Sequence, residues 1–151
     1  TFNDVEYRCM MDECIVVHSK KLIIPIDLKT SSHTEWDFAE SFIKWNYMIQ
    51  GRLYARLLKA TIEKDEYFKD FTIAPYKFIV VNRSTLTPLV WNFEDTFKEG
   101  DLVYGKDKQY IFRDPFIIGE ELFKYLKDRP KIPNGINLNK PNSLTEWLNK
   151  L

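Results

Sequence analysis

An α+β fold, with a mixed central β-sheet flanked by helices, is predicted from three observations. Two apolar stretches joined by a tight turn open the chain, a long helical stripe follows them, and a second pair of strand-like runs precedes another helix. The element order reads ββ–α–ββ–(β)–α. A chain of 151 residues is expected to form one domain, residues 1–151, with a real core. Hydrophobic residues at 44% and aromatics at 15% exclude a disordered chain. The 22 basic residues balance the 22 acidic ones, so the whole-chain field does not draw the protein to nucleic acid or to an anionic membrane. A polyanion would have to be held by a local patch.

The elements follow in order. Residues 5–17, VEYRCMMDECIVV, and 21–29, KLIIPIDLK, are joined by HSK and read as a β-hairpin. The aliphatic run 22–26 is what a strand buried on both faces would carry, and Pro25 requires an edge or bulge position because it lacks an N–H. Thr34 and Asp37, three apart, resemble a weak capping box before a helix over about 38–63 that breaks near Trp45. Its apolar stripe is Phe42, Ile49, Leu53, Leu57 and Leu58. Residues 71–81 and 86–93 are strands about the turn NRST. Short strands at 102–104 and 110–112 sit between the turn signals EGD and GKDK. A helix over 118–129 stops before Pro130, and the tail 130–151 reads as irregular with a final helical turn or two.

Cys9 and Cys14, five apart, face opposite sides of a strand and do not pair. No further cysteine is present to build a zinc or iron–sulfur site. With no signal peptide and no apolar run long enough to span a bilayer, the expectation is a reducing, cytoplasmic setting without a membrane.

The stretch LIIPIDLKT, residues 22–30, concentrates the chemistry. Asp27 and Lys29 lie two apart and so share one face of a strand that otherwise reads as core. The preceding strand carries Asp12 amid CMMDECIVV. Pairing about HSK sets residues whose numbers sum to roughly 38 opposite each other, which brings Asp12 near Ile26 and Asp27. Two buried carboxylates side by side repel unless a cation joins them. Magnesium, content with one or two carboxylates and several waters, is such a cation. Lys29 beside it would orient a water or stabilise charge developing on a phosphate.

Asp12 followed fifteen residues later by IDLKT on a second strand resembles the PD-(D/E)xK nuclease superfamily. Gln50 and Tyr54, four apart on the next helix in YMIQGRLYARLL, match the Q-x-x-x-Y motif of its RecB-like, phage-exonuclease branch. The resemblance covers residues 5–60. It implies a restriction-endonuclease-like core and a magnesium- or manganese-dependent deoxyribonuclease, an exonuclease of phage-type recombination and repair. Asp12 and Asp27 would bind the metal together with the backbone carbonyl of Leu28, Lys29 would position or deprotonate the attacking water, and Gln50 and Tyr54 would brace the site. Its implied partners are DNA and a single-strand annealing protein or further copies of the chain. That branch also carries an acidic residue on a helix before the first strand. No such helix is legible here, so the chain is expected to lack N-terminal elements of the full-length protein.

Arg52 and Arg56, with Lys59 on the same helix and Thr30 after the lysine, are candidates for phosphate contacts. His18 and His33 read as surface histidines, and Trp36, Trp45, Tyr47 and Trp91 as core rather than as platforms for nucleic-acid bases. Two other readings stay open. One is a DNA-binding or assembly module of the same fold whose catalysis has decayed. The other is a structural domain in which Asp12, Asp27 and Lys29 form only a salt-bridge cluster.

Overall fold

The computed structural model describes residues 2–32, 34 and 37–128. Strand β1 (Glu13–Val17) leads through one 3-10 turn, His18–Lys20, into the long strand β2 (Leu22–Ser31). Lys21 closes that turn with φ of 46°. Helices α1 (Phe38–Lys44) and α2 (Tyr47–Ile62) follow. Then come β3 (Thr72–Ile73), β4 (Tyr76–Asn82) and β5 (Pro88–Phe93), the hairpin of β6 (Leu102–Tyr104) and β7 (Gln109–Ile111), and helix α3 (Pro115–Asp128). The main sheet is mixed and five-stranded, in the order β1-β2-β4-β5 with β3 also on β2. β1 runs antiparallel to β2, β2 parallel to β4, and β4 antiparallel to β5.

The hairpin register places Glu13 opposite Ile26 and Cys14 opposite Pro25, a sum of 39, one from the expected value. The first strand is much shorter than expected. It starts at Glu13 rather than near residue 5, and Met10 is 83% exposed. Residues 71–81 do not form one strand either. They split into β3 and β4 around residues 74–75, and Pro75 supplies the break. That break also accommodates Pro25. Lys21 and Ile23 give their carbonyls to the amides of Thr72 and Ala74 at 2.7 and 2.8 Å, so odd positions of β2 turn their backbone groups toward β3 and β4. The missing N–H of Pro25 therefore faces the gap between those two strands.

The same odd positions of β2 pair with even positions of β4, Asp27 with Phe78 and Lys29 with Val80, on the face that α1 and α2 cover. A core of Phe38, Met48, Tyr76, Phe78, Val80 and Phe93 fills that layer, and a second cluster of Ile23, Leu58 and Ile62 continues it toward β1. α2 approaches closely because Gly51 has no side chain: a methyl there would lie 2.5 Å from Phe93 Cδ1. The opposite face is partly bare, with Ile15, Leu28 and Val90 about half exposed. β2 is thus buried along its helix-facing side, while on the other side Ile26 is buried but Leu28 is exposed. A face covered only in part is the α+β arrangement rather than a doubly covered α/β sheet.

The long helix breaks where expected. Asn46, between α1 and α2, adopts the left-handed conformation at φ 56°, which asparagine tolerates better than most residues. Thr34 and Asp37 do not make a capping box. Asp37 itself precedes α1, and the Thr34 hydroxyl donates to its carboxylate at 2.5 Å. α3 begins three residues earlier than expected, with Pro115 in its first turn and the Asp114 carboxylate accepting from the Phe116 amide at 2.9 Å. His33, Trp36 and the tail 130–151 lie outside the described residues.

Candidate active site

Asp27 is 2% exposed, and its carboxylate is clamped from two sides. Gln50 donates through Nε2 to Asp27 Oδ1 at 2.6 Å, while Lys29 Nζ stands 2.5 Å from Oδ2. The triangle closes because Lys29 also donates to Gln50 Oε1 at 3.0 Å. Strand parity puts the acid and the amine on the α2 side, and the amide from α2 bridges them with its acceptor toward the cation and its donor toward the anion. The ammonium sits 4.4 Å from the centre of the Tyr47 ring, whose quadrupole adds to its stabilisation. Tyr47 was assigned only to the core from sequence. Its spacing of three from Gln50 on one helix is the signal that links them. Asp27 Oδ2 is buried, with the Lys29 ammonium as its partner. Its neutralisation rests on the ion pair with Lys29.

Asp12 is exposed, not buried, and it lies just before β1. Its Oδ2 accepts the Leu28 amide at 2.8 Å. Even positions of β2 turn toward β1, so Leu28 faces the place where β1 would have continued, and the Asp12 carboxylate takes over the missing strand's bond. By the same parity the Leu28 carbonyl lies on that edge. The hairpin register, extended by one residue, sets Asp12 across from Asp27.

Tyr54 is half-buried and meets Tyr76 edge to face, with centroids 6.3 Å apart. Tyr76 was not singled out from sequence, although the alternation Tyr76, Phe78, Val80 marks it as facing the helices. Its hydroxyl is buried without a hydrogen-bond partner. Burial first, and then the negative charges of Asp27, Tyr54 and Asp12, hold its pKa far above the ordinary tyrosine value. A neutral donor therefore stands beside the two carboxylates.

The phosphate-contact candidates separate. Arg52 is 4% exposed and fully engaged: Nε and Nη2 hold Asp95, Nη1 reaches Asp114 Oδ2 at 2.8 Å, and Nη2 also meets the Phe97 carbonyl. It is an internal strut and is unavailable to a ligand. Arg56 is half-exposed, 3.3 Å from Asp114 and stacked over Phe116, so it serves the same strut. Lys59 faces solvent at 3.9 Å from Glu63. Thr30 is exposed next to Lys29.

No group of three or more His, Cys, Asp and Glu side chains is placed to hold a metal ion among the described residues. The oxygen donors at hand are Asp27, Asp12 and the Leu28 carbonyl. That set suits a hard dication that keeps several waters, and it does not suit zinc. Asp27 Oδ2 already faces the Lys29 ammonium at 2.5 Å, so a dication there would share that oxygen with the amine. No helix among the described residues is long and apolar enough to cross a membrane. No protein-family model, curated protein or solved structure matches this chain.

Proposed function

We propose that this chain is a magnesium-dependent deoxyribonuclease of the PD-(D/E)xK type, an exonuclease acting in the cytoplasm during phage-type recombination and repair. The observation that carries this reading is the closed triangle of Asp27, Lys29 and Gln50, in which a buried acid and base are fixed by a helical amide. A restriction-endonuclease-like core is the corresponding reading of the mixed sheet with its hairpin and following helix. Magnesium, held by Asp27, Asp12 and the Leu28 carbonyl, would polarise a water and offset charge on the phosphodiester. Lys29 would position the attacking water or offset charge developing on the phosphoryl oxygen. Gln50 fixes the rotamers of both charged groups, so that little reorganisation accompanies the reaction. Tyr54 on α2 and Tyr76 on β4 meet edge to face in the layer between helix and sheet.

The test is digestion of end-labelled DNA with magnesium or manganese against a chelator, together with thermal melting. Cleavage should require the metal, and magnesium should raise the melting temperature of the parent but not of Asp27→Asn, because a bound ion stabilises only the native state. Equal melting shifts in the two proteins would remove Asp27 from the metal site. A second reading, a DNA-binding or assembly module without catalysis, is favoured by the exposure of Asp12 and the lack of a third acidic side chain at the site among the described residues. DNA binding without metal-dependent cleavage would decide for it.

A further inference from the structure

A cleft of about 280 Å3 opens on the far side of Lys29 from Asp27. Thr30, Ser31 and Ser32, at and just beyond the end of β2, form its floor, and Ser41 and Lys44 of α1 form one wall. Trp45 and Tyr47 at the helix break, with Arg83 from the turn after β4, complete it. The cleft thus lies beyond the carboxyl ends of the parallel pair β2 and β4, where open sheets leave a crevice for ligands.

Its chemistry is one-sided. Three cations line it, and no carboxylate does among the described residues. Lys29 is committed to Asp27, but neither Lys44 nor Arg83 has a carboxylate partner among the described residues. Arg83 is set in place by its backbone: its amide donates to the Ser31 carbonyl at 2.9 Å, and Asn82 Oδ1 accepts the amides of Ser84 and Thr85. Trp45 is 61% exposed, against the expectation that it is core, and the Lys44 ammonium stands 5.4 Å from its ring. Lys44 also borders a neighbouring cleft with Asp37, Glu40 and Asp107, so acidic neighbours offset part of its charge. Cations with hydroxyl donors suit a phosphodiester, and an exposed indole beside them suits the face of an unpaired base.

We infer that this cleft is a binding subsite for single-stranded nucleic acid, with Lys44, Arg83 and the hydroxyls of Ser32 and Ser41 on a backbone phosphate and the adjoining base stacked on Trp45. It deepens the proposed function, resting on that reading only for the direction in which the strand leaves Lys29. The occupant is a polynucleotide strand and not a free phosphate, because the aromatic surface has no use for an inorganic anion.

The experiment measures fluorescence anisotropy of a labelled oligothymidylate with the full chain in chelator, from 50 to 200 mM salt. Circular dichroism confirms that each variant is folded. Lys44→Gln with Arg83→Gln should weaken binding tenfold or more, and the steepness of the log–log salt dependence should fall by about 0.7, the share of one phosphate contact on a single strand. Trp45→Ala should weaken binding by roughly five- to a hundredfold while leaving that steepness unchanged. Binding within twofold of the parent in both folded variants overturns the inference. So does inorganic phosphate displacing the oligonucleotide with Trp45→Ala without effect, since the cleft would then be a simple anion site. Cleavage plays no part in this measurement. A parent that binds in this pattern but never cleaves leaves the subsite standing and removes the nuclease, and a parent that cleaves but loses nothing in these variants does the reverse.

Discussion

Gln50 and Arg52 stand two residues apart on α2, and each is the centre of a buried charged cluster. A separation of two turns side chains about 200° around a helix, so the clusters lie on different sides of it. Around Arg52 the accounting is complete: two carboxylates and a carbonyl meet a guanidinium whose pKa is raised mainly by its bonds to Asp95, against the opposing effect of burial. Around Gln50 it is incomplete. Asp27 Oδ2 relies on the Lys29 ammonium, and the neighbouring Tyr76 hydroxyl has no hydrogen-bond partner. Saturation marks a strut that ties α2 to residues 95–114. Unfilled bonding capacity next to a closed acid–base–amide triangle marks a place prepared for something else.

Substitutions can separate the two clusters, and the largest effect should come from the strut. Arg52→Ala leaves Asp95 and Asp114 without their main partner. It should cost roughly 3–5 kcal/mol by denaturant titration, as breaking a buried pair does. A loss below 1 kcal/mol would make the two clusters equivalent. Lys29→Ala should lower cleavage about a hundredfold or more in protein that circular dichroism shows to be folded, and it should also lower stability because buried Asp27 loses its counterion. Activity within a few-fold of the parent would take the lysine out of the reaction.

Gly51 lies between the two centres and tests the packing that holds both. Gly51→Ala would press a methyl onto Phe93 and should destabilise by about 1–3 kcal/mol in thermal or urea melts. A neutral outcome would mean that the helix shifts freely. The smallest effect belongs to Tyr76→Phe, which removes a buried hydroxyl without a partner and should leave stability unchanged or raise it by about 1 kcal/mol. The raised pKa sets the sign with pH. The fold resists ionising Tyr76 while the unfolded chain ionises it near the ordinary tyrosine value of 10.0, so parental stability should decline as pH rises above that value. Tyr76→Phe should lessen that decline. A folded variant with the parent's alkaline profile would contradict the placement of the hydroxyl.

Much of the frame was legible because it is local. The hairpin register followed from the turn within one residue, and the helix broke beside Trp45 as read. Asp27, Lys29 and Gln50 converge because strand parity and helix placement are short-range rules. Arg52 was misread because its partners lie 43 and 62 positions away, and nothing in the pattern of one helix reveals them. Asp12 was placed on a strand because its neighbours are apolar, yet the strand stops at Glu13 and its carboxylate fills in for the backbone. Pro75 did announce the split of the third strand run, and that signal was overlooked. The unsatisfied Tyr76 hydroxyl follows only from the closeness of α2 to the sheet, which is a property of the packed molecule.

The left-handed turn at Asn46 reaches further than the helix it interrupts. It lets two consecutive aromatic rings, one on each flank, do unlike work: Tyr47 looks inward to cushion the ammonium of Lys29, and Trp45 looks out to solvent. An unbroken rod would swing both through a fixed angle and could not aim them separately. One residue that accepts an unusual backbone thereby gives the protein an indoor and an outdoor aromatic surface at the same doorway.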